Sequence, residues 1–260
     1  MKATALHLLV VGMIVAVSAL VVRADPINIS WSSEVSDHPQ IVYDDLDSSL
    51  HVFWIEEAYP NQVRHRQLEP WSSVEIISDP TAAVFNLDIY TDLEGNSYIA
   101  WTESWGFFDS IVVARYHGGW QETYRLPAPT SPVIDLAVAC DPEGSLRLGW
   151  IFFDYYDVSV WYADYDGSWE VHEVAGYPDY GYLNEAPPQI GLGLGDNQQP
   201  ILVWLLMSFY DTSGVFFSVR ENGEWSEPGR IGDELAPFRL SITDDGWGKT
   251  FVTIADDFYA

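Results

Sequence analysis

Residues 134–150, Ile-Asp-Leu-Ala-Val-Ala-Cys-Asp-Pro-Glu-Gly-Ser-Leu-Arg-Leu-Gly-Trp, decide the fold. Ile134, Leu136 and Val138 alternate with Asp135, Ala137 and Ala139, the period-two pattern of a strand with two different faces. Asp141 and Gly144 supply a turn, and residues 146–150 read as a second strand ending on Trp150. Outward from this hairpin, residues 158–165 predict a third strand, Asp166-Gly167-Ser168 a turn, and Trp169 the start of a fourth. The same series recurs about every 49 residues, four and a half times along the chain. Its second strands end on Trp54, Trp101, Trp150 and Trp204, at intervals of 47, 49 and 54 residues. Its fourth strands open with Trp71, Trp120, Trp169 and Trp225, at intervals of 49, 49 and 56. Four antiparallel strands repeated at this period predict an all-β fold, a β-propeller with one four-stranded blade per unit.

The repeat units span residues 37–78, 79–127, 128–176, 177–233 and 234–260, which predicts five blades. Trp31-Ser32-Ser33 matches Trp71-Ser72-Ser73, so a strand over 29–36 is expected to close the last blade and remove its exposed edge. Blades need large apolar residues between their sheets, and this need accounts for most of the 12 Trp, 15 Tyr and 12 Phe. Gly191, Gly193 and Gly195 lie on an alternating strand with no helix after it. That placement points to close packing rather than a phosphate loop.

The first 24 residues carry Lys2, an apolar run from Ala5 to Val22, and small residues before Asp25. They read as a secretory signal cleaved after Ala24, or less favourably after Ala19, which places the mature domain at 25–260 outside the cell or at its surface. An uncleaved anchor is the alternative. The chain carries a formal charge of −28. Without the leader, Lys249 and eight arginines face 39 acidic residues. Such a surface repels nucleic acid and anionic lipid and favours a soluble monomer. Cys140 is the single cysteine, so no internal disulfide forms, and its apolar strand makes it a buried inert thiol.

The Asp-x-x-Gly turn, the strand ending in tryptophan and the Gly-Trp-Ser-like strand together resemble the secreted sialidase-like propellers with Asp-box repeats. Copy number and length are similar to the five-bladed tachylectin-type lectins. The resemblance covers the whole mature chain and implies a fold, not a reaction. The intact Ser-x-Asp-x-Gly-x-Thr-Trp box is missing. A sialidase also needs clustered arginines on inner strands, and Arg239 alone meets that requirement.

In a propeller the first strand of each blade lines the central channel. The face opposite the aliphatic residues is expected to present a ring of Gln40, Asn86, Asp135, Gln189 and Arg239 at the mouth, with Asp88 one step deeper. Converging polar side chains are suited to a sugar or another small polar ligand; a water-filled channel in which Asp135 pairs with Arg239 is the alternative. A second ring is expected in the loops after the second strands, with Glu56, Glu103, Asp154, Asp211 and Asp256 beside aromatics including Trp105, Tyr155 and Tyr210. The segment 177–188 breaks the repeat and brings Tyr180 to the same face. Asp44, Asp45 and Asp47, and Asp244 with Asp245, are candidate calcium turns, although aspartate in tight turns commonly caps its own backbone.

These features favour a secreted propeller that binds glycans without catalysis. The alternatives are a glycoside hydrolase using Asp88 and Asp135 with Glu103 or Glu185 as proton donor, and an extracellular scaffold for a protein partner. No metal ligand set is assigned.

Overall fold

A computed structural model of the chain describes residues 29–30, 32, 34–44, 48–68, 70–106, 109–127, 132–154, 156–178, 187–207, 213–232, 237–244 and 249–256. Residues 1–33 and 34–260 are separate units, and the sheets belong to the second. The first sheet holds β1 (Ser36–Asp44), β2 (Ser49–Glu56), β3 (Gln62–Leu68) and β4 (Glu75–Ile76). The second holds β5 (Ala83–Thr91), β6 (Ser97–Ser104), β7 (Asp109–Tyr116) and β8 (Trp120–Pro127). The third holds β9 (Val133–Cys140), β10 (Leu146–Asp154), β11 (Asp157–Tyr165) and β12 (Trp169–Tyr177). In the fourth, β13 (Gln189–Leu194), β14 (Pro200–Leu206) and β15 (Gly214–Glu221) are followed by two short pieces on the outer edge, β16 (Glu224–Trp225) and β17 (Gly229–Ile231). The fifth is a pair, β18 (Pro237–Asp244) and β19 (Thr250–Asp256). Within the four larger sheets, successive strands are antiparallel neighbours in sequence order, as the repeat predicts.

The Asp-x-x-Gly turns form for a local reason. Asp92 Oδ1 accepts the amides of Glu94 and Asn96, each at 2.9 Å, and Asp141 Oδ1 accepts Ser145 N–H at 2.9 Å. Gly95 and Gly144 take φ of +83° and +90°, a conformation costly for any residue with a Cβ. Aspartate and glycine at these positions therefore fix the hairpins through contacts local in sequence.

The core is a series of layers between sheets. Val42, Phe53 and Ile55 of sheet 1 pack on Val84, Leu87, Ile99 and Trp101 of sheet 2. Tyr98, Ile111 and Val113 of sheet 2 meet Leu136, Val138, Leu148 and Trp150 of sheet 3. Ala137, Ala139, Ile151 and Tyr162 of sheet 3 meet Ile190, Leu192, Leu202 and Trp204 of sheet 4. Val203, Leu205 and Val215 of sheet 4 face Leu240, Ile242, Val252 and Ile254 of sheet 5. Trp101, Trp150 and Trp204 thus each bury an indole against the preceding sheet, which is why the tryptophan ending the second strand recurs. The inner glycines belong to the same packing. A Cβ on Gly193 would lie 2.5 Å from Thr250 Cγ2, and one on Gly191 would lie 2.9 Å from Ile242 Cβ.

Two expectations are corrected. The expected strand over 29–36 does not appear: its described residues before Ser36 lie outside any strand, and Ser36 itself opens β1. Among the described residues β19 pairs only with β18, Phe251 and Ile41 are 53% and 64% exposed, and the ring of sheets is not closed. The inner strands also do not turn one face to the channel. In β9, Leu136 and Val138 pack towards sheet 2 while Ala137 and Ala139 pack towards sheet 4, so both faces are spent on neighbouring sheets. What an inner strand offers the channel is its edge.

Candidate functional site

An edge strand leaves backbone amides and carbonyls unpaired, and buried ones need partners. Side chains of the preceding inner strand supply them. Asn86 Nδ2 donates to Val133 O at 3.2 Å, and Asp88 Oδ2 accepts Val138 N–H at 2.9 Å. Asp135 Oδ2 accepts Ile190 N–H at 2.8 Å, and Gln189 Oε1 accepts Leu240 N–H at 2.8 Å. Three of the expected ring residues, and Asp88 one step deeper, are therefore staples between successive inner strands.

The inner strands enclose a cavity of about 410 Å³, lined by consecutive residues of β5, β9, β13 and β18 and by Gln40 of β1. Asp88, Tyr90 and Thr91 supply polar groups from β5, and Ser241 and Thr243 from β18. Burial raises the Asp88 carboxyl to about 6 against the pull of its amide partners. Burial raises Asp135 further, to about 7, and the neighbouring Asp88 charge adds to the shift.

The mouth ring is out of register with the expectation. Asp135 faces Ile151, one residue past Trp150, and Gln189 faces Leu205, one past Trp204. Gln40 faces Phe53, one residue before Trp54, and so stands level with Asp88, which faces Ala100. The offset arises at the hairpin: four residues separate the paired Asp44 and Ser49, whereas five separate Thr91 from Ser97, Cys140 from Leu146 and Leu194 from Pro200. Asp37, opposite Ile55, occupies the place expected for Gln40, and alternation alone could not reveal it. Arg239 is exposed at the start of β18 and does not line the cavity. No ion pair joins it to Asp135 among the described residues.

The loop ring divides. Glu103 is enclosed: it accepts Trp101 Nε1–H at 3.0 Å and Asp79 N–H at 2.9 Å, and pairs with Arg125 at 2.7 Å. Glu56 repeats this arrangement with Trp54 at 3.5 Å and Arg64 at 3.0 Å. Both glutamates serve the indole two residues before them on the same strand face. Trp105 is 44% exposed beneath the Arg125 guanidinium, 5.0 Å from ring centroid to Cζ. Tyr155, Tyr180, Glu185, Tyr210 and Asp211 lie outside the described residues.

The histidines, scattered in sequence, include a buried chain. Ser49 Oγ lies 2.7 Å from His51 Nε2, His51 Nδ1 lies 2.8 Å from His65 Nε2, and His65 Nδ1 lies 3.4 Å from Glu75 Oε2. Phe53, Tyr116 and Trp120 wall it in, and burial pushes His65 down to about 4. This chain braces three strands of sheet 1 in the layer facing sheet 2.

Asp164, Glu170 and His172 place donor atoms within 4.8 Å of one another. Arg220 already pairs with Asp164 and lies 3.4 Å from His172 Nε2, so a guanidinium holds the position a metal ion would take. At the expected calcium turns, Asp44 Oδ2 accepts Gly118 N–H at 3.0 Å, while Asp45, Asp47 and Asp245 lie outside the described residues.

No protein-family model matches the chain, and no curated protein sequence does. Solved structures do. A protein of unknown function from Dyadobacter fermentans aligns with a TM-score of 0.56 at 10% identity, over 80% of this chain and 71% of that one. A lectin of Aleuria aurantia in complex with α-methyl-L-fucoside gives 0.54 at 13% identity, over 85% and 71%. An exo-β-1,3-galactanase of Phanerochaete chrysosporium with β-1,3-galactotriose gives 0.50 at 11% identity, over 89% and 55%. At such identities the likeness speaks to architecture alone, and with the radial layers of antiparallel sheets it makes this chain a β-propeller.

Proposed function

We propose that the chain is a secreted five-bladed propeller that binds a glycan in its central cavity and does not turn it over. The observation that carries this reading is the convergence of β1, β5, β9, β13 and β18 on one cavity of about 410 Å³ with amide, hydroxyl and carboxylate groups in its wall. A space of this size with a few fixed polar groups suits one or two sugar rings. The sugars named for the Aleuria lectin and the Phanerochaete galactanase agree with it in ligand class. Catalysis is disfavoured because Glu103, one of the two expected proton donors, is committed to Arg125 and two N–H groups.

One observation favours hydrolysis as the second reading. Asp88 and Asp135 titrate at about 6 and 7, the range in which a carboxyl can deliver a proton to a glycosidic oxygen. A glycan array with the purified protein and its Asp88→Asn variant, which alters a residue of the cavity wall, tests the first reading. Selective binding weakened in the variant supports it, and a well-folded protein that binds no glycan sinks it. A hydrolysis screen of any bound glycan separates the two: turnover lost in Asp88→Asn and Asp135→Asn would replace the binding reading with the enzymatic one.

A further inference from the structure

We infer that the paired imidazoles of His51 and His65 form an acid-operated latch, which holds sheet 1 against sheet 2 near neutral pH and lets go as the pair takes up protons. The inference does not depend on the glycan reading. It begins with where the protons lie along the buried chain. A carboxylate accepts only, so Glu75 Oε2, at 3.4 Å, takes its hydrogen from His65 Nδ1. In the neutral ring this leaves His65 Nε2 as an acceptor, and it accepts from His51 Nδ1–H at 2.8 Å. His51 Nε2 in turn accepts from the Ser49 hydroxyl at 2.7 Å. The tautomers follow from this network. Only one proton fits between two nitrogens 2.8 Å apart. A first added proton is accommodated by turning the Ser49 hydroxyl into an acceptor, and a second has no place. One of the two rings therefore stays neutral for as long as the chain is intact.

Both rings also sit where a charge is costly. His51 and His65 are 1% and 6% exposed. Phe53 stacks on His65 with centroids 4.7 Å apart, Tyr116 of sheet 2 lies 4.7 Å from His51, and Trp120 of sheet 2 meets His65 edge-on at 5.6 Å. Burial accordingly lowers His65 to about 4, and His51 beside it adds to the shift against the pull of Glu75. The end of the chain is shared with sheet 2: Trp120 Nε1–H donates to the same Glu75 oxygen at 3.2 Å, so imidazole, carboxylate and indole make one junction across the layer.

The other titratable groups on the elements around the pair are Asp44 at the end of β1, which accepts Gly118 N–H, Tyr116 on β7, and His117 in the turn before β8. On β3, Arg64 and Arg66 alternate with His65 and lie on the opposite face, Arg64 on Glu56 and Arg66 over Trp71. Arg125 on β8 is held by Glu103. An unfolded histidine takes its proton at about 6.5. A folded chain that keeps one ring neutral down to about pH 4 is stabilised above the first value and loses that stability as pH falls towards the second. The loss falls on the layer that encloses the ring. Because β1 pairs with β2 and carries Gln40 into the cavity wall, opening this layer also loosens one side of the cavity.

The test is hydrogen–deuterium exchange of the purified protein from pH 7 to pH 4, corrected for intrinsic exchange rates, beside urea unfolding of the same protein and of His65→Gln. Glutamine offers His51 an acceptor and Glu75 a donor, and it does not titrate. Relative to this variant, the unfolded-to-folded ratio of the wild type is expected to rise about twentyfold from pH 7 to pH 5 and about a hundredfold by pH 4. Protection should fall in residues 49–76 before it falls in sheets 3 and 4, and the variant should retain it. Imidazole nitrogen resonances of the wild type give a readout that needs no variant, since at least one of the two rings should be neutral at every pH at which sheet 1 is protected. Two imidazolium rings beneath a protected sheet 1, the same acid response in His65→Gln, or loss of protection in all sheets together would each overturn the inference.

Discussion

Replacing Asp135 with asparagine should make this protein more stable at alkaline pH and leave it unchanged in acid. The carboxyl titrates at about 7 in the folded chain against 3.8 when unperturbed. A raised carboxyl pKa means the folded state holds its proton more tightly than the unfolded state does. The stabilising contribution is complete below about pH 4, and it is lost as pH climbs towards the folded value. Every tenfold gain in proton affinity corresponds to about 1.4 kcal/mol, so a gain of roughly a thousandfold amounts to about 4 kcal/mol by pH 8. Asparagine keeps the Oδ1 acceptor for Ile190 N–H and has no charge to desolvate. The measurement is urea unfolding of both proteins by tryptophan fluorescence at pH 4.5, 6, 7 and 8, with m-values compared at each pH. Titrating groups remote from Asp135 cancel in the difference, and Asp88, whose charge acts on Asp135, contributes with the same sign. A stability difference independent of pH, or one favouring the aspartate at pH 8, would refute the assignment of an enclosed and unpaired carboxylate.

Two further outcomes follow from the sheet layers. Trp101→Phe should cost about 1–3 kcal/mol more than Trp150→Phe, because Trp101 Nε1–H donates to Glu103 at 3.0 Å while Trp150 Nε1–H has no partner. Equal losses in urea unfolding would show that the enclosed glutamate does not depend on the indole. Gly149→Ala would place a methyl 2.4 Å from Leu202 Cδ2, within the layer between sheets 3 and 4. It should destabilise by about 1–3 kcal/mol, and an unchanged melting temperature would show that Leu202 has room to move.

The elements written in local patterns could be read from the chain. Alternation in 134–139, the Asp-x-x-Gly turns and the recurring tryptophans each act within a dozen residues, and the sheets follow them. The site was less legible because its contacts join units. Asn86 reaches Val133 across 47 residues, Asp88 reaches Val138 across 50, and Asp135 reaches Ile190 across 55. Side-chain alternation places Asp88 and Asp135 on a strand face, and it is silent on whether that face meets a channel or a neighbouring sheet. Nor does alternation reveal that the connection from Asp44 to Ser49 is one residue shorter than its counterparts, which slides Gln40 along the channel relative to them. Glu103 was misleading for a related reason: its loop position resembled that of a ligand group, but Arg125, 22 residues later, folds back to claim it.

The staples along the channel all run the same way, from the inner strand of one sheet to the inner edge of the next in sequence. Among the described residues, sheets 2, 3 and 4 therefore each carry a plug for the next sheet, and sheets 3, 4 and 5 a socket for the one before. A tandem copy of the unit that forms sheet 3 or sheet 4 would arrive with both fittings, so such a unit can be duplicated without a new kind of contact. Individual substitutions have no such freedom, since losing a plug leaves the socket in the following unit with a bare backbone amide. In this molecule the smallest interchangeable part is the repeat, and the smallest part that must change together is a pair of inner strands.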